Sequence, residues 1–337
     1  MIKRLVLMVL VTISFCCYGI QFEILQSSSK NIAIGGSGIS IFKDPSFTFV
    51  NPANVVLDKN SISLYYEAVS SVVLGNIFDL YNKRLIFDPV NFGISFKIDD
   101  YTRVSFAFSP YVYDIDVPQI SYKVLLLGIS KRLLPSVSVG GSLGPVIGVS
   151  DELWSFSFIA IGGVTFSFDD IFSFSFVFKS PFSVKVINPY YGNIIQTFPP
   201  VISTGGSYFA LDSLVFSVSF DIVLLNNLSA RFGSRELFVS RYDFIDYLLP
   251  KFGIIYYDRI SGYRMMLGFY KSQIESLSFS IPQYHLTFGV TFFIRIPSFE
   301  DFELNLSVDD CSLMNFLSVA PLNFRRISIN LSSELRF

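Results

Sequence analysis

Beyond its N-terminal segment the sequence contains no unbroken apolar run of the ~20 residues that a membrane-crossing helix requires, although 51% of its 337 residues are hydrophobic. Cysteine is scarce. Of the three, Cys16 and Cys17 lie in the N-terminal segment, which leaves Cys311 on its own. One cysteine closes neither an internal disulfide nor a cysteine metal cluster. The sequence has a single histidine, His285, and no phosphate-loop or metal-ligand spacing, so no cofactor and no metal are expected. Charged residues make up 15% and sum to −2, which offers no basic footprint for nucleic acid.

What is abundant is aromatic: 17% of the chain, including 38 Phe. A chain this apolar without spanning helices is either a very large soluble core or a barrel that turns an apolar face to lipid. The last residues favour the barrel. Counting back from Phe337, the positions Leu335, Ser333, Leu331, Ile329 and Ile327 are apolar or small, and Arg336, Glu334, Ser332, Asn330 and Ser328 fall between them. A period of two sends alternate side chains to opposite faces. Such a strand, ending at Phe337, suits the closing, insertion-directing strand of an outer-membrane barrel with lipid on one side and a wet lumen on the other. The alternative is an edge strand of a soluble β-sandwich.

The first 19 residues carry Lys3 and Arg4, an apolar core from Leu5 to Phe15, and small residues near Gly19. They read as an export signal removed from the mature protein. Cys16 and Cys17 raise a lipoprotein reading, against which Phe15 stands where a small residue is required. Residues 20–58 follow, with Gly35-Gly36, Asp44-Pro45 and Asn51-Pro52-Ala53-Asn54. Ile39, Ile41, Phe42, Phe47, Phe49 and Val50 make this stretch too apolar for a solvated tether, so it is expected to be packed inside something.

From Ser61 onward about fourteen segments alternate with strand period, an even number of the size seen in membrane barrels. Phe172, Phe174, Phe176 and Phe178 against Ser173 and Ser175 is one example. The connections alternate too. Every second one is short, centred on Asp99-Asp100, Lys131-Arg132, Asp169-Asp170, Leu211-Asp212, residues 258–262 and residues 297–301; the intervening ones, notably 71–90, 179–200 and 225–251, are long. Bacterial barrels have short periplasmic turns and longer outer loops, whereas a soluble sandwich has no reason to segregate loop length by parity.

By the same parity the lumen-facing residues are small: Ser105, Ala107, Ser155, Ser157, Ser173, Ser175, Ser217 and Ser219. They are either plain polar filler or a lining that leaves room for a hatch or a ligand. In two outer loops Leu237, Phe238, Ile245 and Leu248, and more weakly Ile77 and Phe78, recur at helical spacing. These are expected to be short amphipathic helices at the barrel mouth, serving as a landing surface for an apolar ligand or packing on each other as a cap. His285 falls on the lumen side of its strand near the outer rim with no carboxylate beside it in sequence, so it reads as a polar lining residue, and the chain as no enzyme.

The opening Gly35-Gly36, then Asp44, then Asn51-Pro52-Ala53 ahead of the first strand resembles the N-terminal hatch of the FadL-like outer-membrane transporters of hydrophobic compounds. It is also similar to the related PorV-like barrels. The resemblance implies an all-β, transmembrane antiparallel barrel of residues 59–337 holding residues 20–58 as a hatch, in the outer membrane of a double-membraned bacterium. It implies passive uptake of hydrophobic small molecules such as long-chain fatty acids, with hydrophobic ligand, outer-membrane lipid and the barrel-assembly machinery as partners. A PorV-like barrel would instead scaffold another exported protein. FadL-like barrels release ligand sideways at a kinked strand, and the stretch from Gly140-Gly141 to Pro145 is the position the resemblance suggests for that exit.

Overall fold

A computed structural model describes residues 20–21, 28–55, 58–73, 86–113, 120–150, 153–168, 171–188, 192–224, 229–232, 235–238, 248–258, 262–275, 280–296, 299–310 and 324–337. The expected export signal, residues 1–19, lies outside them, as do Ile77, Phe78 and Ile245.

Fourteen long strands follow one another around a wall: β1 (Ser61–Val73), β2 (Ile86–Lys97), β3 (Thr102–Tyr113), β4 (Ile120–Leu134), β5 (Val137–Ser150), β6 (Leu153–Phe168), β7 (Phe172–Lys179), β8 (Val201–Leu211), β9 (Leu214–Val223), β10 (Leu248–Asp258), β11 (Tyr263–Glu275), β12 (Ser280–Ile296), β13 (Phe299–Asp310) and β14 (Phe324–Arg336). Each is antiparallel to the next, and β14 pairs with β1 from Arg336↔Ser61 to Phe324↔Val73, which closes the barrel. Closure pairs every strand with a neighbour on each side over at least part of its length, the condition for a sheet to cross lipid. The strands extend the expected segments by a few residues. One short turn is displaced: Lys131 and Arg132 belong to β4, and the reversal falls at Pro135-Ser136, where proline lacks the N–H that a further ladder bond would need.

Alternation sorts the two faces. Phe172, Phe174, Phe176 and Phe178 are exposed on the outside, as are Trp154, Phe156 and Phe158, while Ser173, Ser175, Ser217 and Ser219 are buried within. This is an apolar belt around a polar lumen, the pattern of a transmembrane barrel.

The wall is not of even height. Strands β7 to β10 stop low on the outer side, and β6 pairs with β7 only from Ile161↔Lys179 inward. Among the described residues, no barrel strand pairs with the outer half of β6 on that edge. Above the low wall stands a separate sheet of four short antiparallel strands, Phe182–Asn188, Gly192–Phe198, Ser229–Phe232 and Arg235–Phe238. Pro181, Pro199 and Pro200 lie at the seam with β7 and β8, where missing N–H groups break the ladder and let the chain bend. The bend sends Phe182–Asn188 inward across β6 and β5, with Phe182 buried in the same apolar cluster as Ile159 and Ile161. We call this sheet the lid. Its strand Arg235–Phe238 replaces part of the amphipathic helix expected over Leu237 and Phe238, and Leu248 opens β10 instead. Pairing of Ser229–Phe232 with the neighbouring lid strand overrides a helical spacing that is only local.

Candidate functional site

The site is built around the segment 28–55, which occupies the lumen. All of it is buried except Gly36, Ile41 and Lys43. It begins with a one-turn helix, α1 (Ser29–Ala33), capped by Ser28, whose hydroxyl accepts from the Asn31 amide. Gly35 and Gly36 end it with φ of 62° and 72°, a left-handed exit that glycine makes without strain. Their amides return to the carbonyls of Ile32 and Asn31, each at 2.7 Å. Three short 3-10 turns follow, Gly38–Ser40, Pro45–Phe49 and Pro52–Val55. Asp44 caps the second by accepting from the Ser46 amide at 2.8 Å.

The family-like motif residues thus have specific tasks. Asn51 and Asn54 both donate to the Ile39 carbonyl, at 2.8 and 2.6 Å, folding the hatch onto itself. Asn51 also donates to Thr165 on β6, and Thr165 donates to Asn54. Pro52 and Ala53 press on β5, where an added Cβ on Gly140 would stand 2.4 Å from the Pro52 carbonyl carbon. The small lumen residues are seats for the hatch. Ser142 donates to the Thr48 carbonyl, Ser217 to the Ser37 carbonyl and Thr287 to the Ala33 carbonyl. A small hydroxyl both makes room and satisfies hatch backbone that would otherwise be buried without a partner.

The expected kink is absent from Gly140-Gly141. Gly140 pairs with Ser130 on one side and Gly163 on the other, and Gly141 with Ile129 and Gly162. At the far end of the expected stretch, Gly144-Pro145, the ladder to β4 does lapse, yet the strands stay close there, since a Cβ on Gly144 would meet the Leu125 oxygen at 1.7 Å. The break in the wall lies instead along the outer half of β6, a feature no local sequence pattern marked.

On the side of the short turns a buried ion cluster ties the hatch to the wall. The Lys30 ammonium lies 2.6 Å from Glu334, 3.1 Å from Asp44 and 3.6 Å from Glu303. Arg336 pairs with Glu334 at 2.9 Å and with Glu303 at 3.3 Å. Burial acts to lower the Lys30 pKa, and Asp44, Glu334 and Glu303 more than reverse it, so the ammonium is held above the ordinary lysine range. Beneath the hatch opens a cavity of about 640 Å³ lined by Lys30, Phe42, Tyr257, Arg264, Phe293 and Glu303. The Arg264 guanidinium lies 4.7 Å from the Tyr257 ring and 5.0 Å from that of Phe293, within cation–π range.

On the outer side His285 does line the lumen, and it is not alone. Ser272 and Asp309, from the flanking strands β11 and β13, hydrogen-bond its two ring nitrogens. Sequence distance concealed the carboxylate, which only strand pairing brings beside the ring. At the end of β14 the Phe337 amide donates to the Asn60 carbonyl at 3.1 Å, and its side chain is half exposed.

No protein-family model and no curated protein matches the chain. Solved structures do. The CymD monoaromatic hydrocarbon channel superposes with a TM-score of 0.69 at 11% identity, covering 94% of this chain and 99% of that one. The toluene transporter TbuX of Ralstonia pickettii gives 0.68 at 13%, covering 94% and 100%, and a FadL homologue of Pseudomonas aeruginosa gives 0.64 at 10%, covering 93% and 99%. Identity this low speaks to architecture, and the architecture is shared over the whole length of both partners. The chain folds as a FadL-like transmembrane β-barrel, with its N-terminal hatch inside the lumen.

Proposed function

We propose that the protein is an outer-membrane channel for passive uptake of small hydrophobic molecules. The observation that carries this reading is a lumen filled at mid-height by the hatch while, among the described residues, no barrel strand pairs with the wall along outer β6. An apolar molecule cannot pass a plug whose Phe47 and Phe49 are fully buried, but it can leave sideways where the ladder stops. Barrels of the same fold are described as hydrocarbon channels and toluene transporters, which supports the cargo class; long-chain fatty acids are the finer reading. Cargo lands on the outer rim, where Leu237 and Phe238 belong to the lid and Leu248 opens β10, with these three and Ile77, Phe78 and Ile245 as the proposed apolar contacts. It passes under the lid and enters lipid along outer β6, where the lid and not a barrel strand lies against the wall. Gly35, Gly36, Asp44, Asn51, Pro52 and Ala53 keep the hatch seated. An export signal in residues 1–19 and recognition of Phe337 by the barrel-assembly machinery complete the picture.

The lid seam gives the test. The Ser183 amide donates to the Ser157 hydroxyl at 3.2 Å, bridging lid and β6. Ser157→Cys with Ser183→Cys, oxidised, should reduce uptake of a radiolabelled alkylbenzene or fatty acid into cells at least about tenfold, with recovery on reduction. Each single variant should behave as wild type. Uptake that ignores the cross-link rules out this exit, and a co-purifying exported protein in that case supports the scaffold role of PorV-like barrels, which a filled lumen also suits.

A further inference from the structure

We propose that Ser272, His285 and Asp309 form a nucleophilic serine site on the outer face of the hatch, cleaving carboxylic esters of apolar compounds that reach the lumen. This goes beyond transport and does not depend on the exit route. The three side chains come from adjacent strands and share the lumen face. Tyr270 of β11 is the direct cross-strand partner of His285, while Ser272 lies one lumen position outward of Tyr270. Asp309 pairs with Thr287, the lumen residue next inward of His285. Thr287 touches the hatch, accepting from the Gly35 amide and donating to the Ala33 carbonyl. The constellation is therefore about one two-residue step, roughly 7 Å along a strand, above the hatch.

The hydrogen bonds allow the direction that a serine nucleophile needs. Asp309 stands 2.9 Å from His285 Nδ1 through Oδ1 and accepts the Tyr270 hydroxyl at 2.6 Å through Oδ2. An ionised carboxylate can only accept, so Nδ1 carries the proton, and in the neutral ring Nε2 is left as an acceptor. Ser272 Oγ lies 2.8 Å from Nε2 and donates to it in that tautomer. The Tyr270 ring stacks on the imidazole with centroids 4.1 Å apart and planes 14° from parallel, which fixes the ring plane. A lining histidine needs none of this order; a general base beside a serine nucleophile, oriented by a carboxylate, needs all of it.

The chemistry follows. Oγ adds to the ester carbonyl carbon as its proton passes to Nε2. The C–O bond to the alcohol then breaks, and the alcohol departs with that proton. Water next gives a proton to Nε2 and adds to the acyl carbon, and the carboxylic acid leaves as the proton returns to Oγ. Ser272 is 2% exposed and His285 1%, so the side chains that cover them on the lumen side must shift to admit an acyl group, and apolar esters are the class that would partition there.

The full mature protein, folded in detergent, is treated with an alkyl fluorophosphonate, and the adduct is mapped by peptide mass spectrometry. An adduct on Ser272, absent in Ser272→Ala and slowed at least tenfold in His285→Gln, is expected, together with hydrolysis of p-nitrophenyl butyrate that Ser272→Ala lacks. Asp309→Asn, a change at a positioning residue, should shift the pH profile of labelling. Folding of each variant is read from its heat-modifiable gel mobility, and the wild-type adduct site stands whatever the variants do. Folded wild type without a Ser272 adduct, or labelling unaffected by His285→Gln, overturns the proposal.

Discussion

Lys30→Met should destabilise the folded barrel by roughly 3–5 kcal/mol, the cost of removing one partner from a buried ion cluster, and should release the hatch. Lys30 is 2% exposed, and the carboxylates around it are as buried. Lys30, Arg264 and Arg336 there face Asp44, Glu303 and Glu334, three cations to three carboxylates at the centre of the cluster, with Lys43, Asp58 and Lys59 further out on the cavity wall. Removing the lysine leaves two cations for three carboxylates, of which Asp44 is 1% and Glu334 2% exposed. A second change, Glu334→Gln, restores the balance and should recover much of the loss, because the penalty comes from the uncompensated charge rather than from the missing contact. Urea titration in detergent, followed by Trp154 fluorescence and by protease cleavage within residues 28–55, measures both effects. An unchanged midpoint with an uncut hatch would mean that the ion cluster is not what holds it.

That cluster explains part of what the sequence could and could not disclose. Strand period, the parity of loop lengths and the apolar content of residues 20–58 are local properties, and they predicted a closed barrel with something packed inside it. Gly35-Gly36, Asp44 and Asn51-Pro52-Ala53 marked the hatch because each does a local job: a left-handed helix exit, a turn cap, a folded-back carbonyl clamp. Roles that depend on which residue lies across the lumen left no such mark. Gly140 looked like a kink and is a seat for Pro52. His285 looked isolated, although Asp309 sits 24 positions away in sequence and 2.9 Å away in space. The lid escaped notice because its strands are four to seven residues long, too short for alternation to stand out from the helical spacing laid over them.

Gly268→Val should push the hatch out while leaving the wall intact, and it separates an axial path from a lateral one. An added Cβ at Gly268 would lie 2.1 Å from the Gly35 nitrogen and 2.2 Å from the Ile34 carbonyl carbon, both backbone atoms that cannot turn aside. Something must move. Strand β11 is held by ladders on both sides, eight pairs to β10 and thirteen to β12. At this level the hatch is held by the Gly35 and Ala33 bonds to Thr287, each worth only about 0.5–1.5 kcal/mol. The hatch is the weaker side, and it yields. With the hatch displaced, the outer lumen communicates with the cavity above Arg264 and Tyr257, so single-channel conductance in planar bilayers and entry of bulky hydrophilic antibiotics should both rise. Uptake of apolar cargo should not rise with them, because its proposed exit is along outer β6, which the substitution does not touch. If apolar uptake instead climbs in step with conductance, the cargo travels down the axis and the hatch is the gate it waits for.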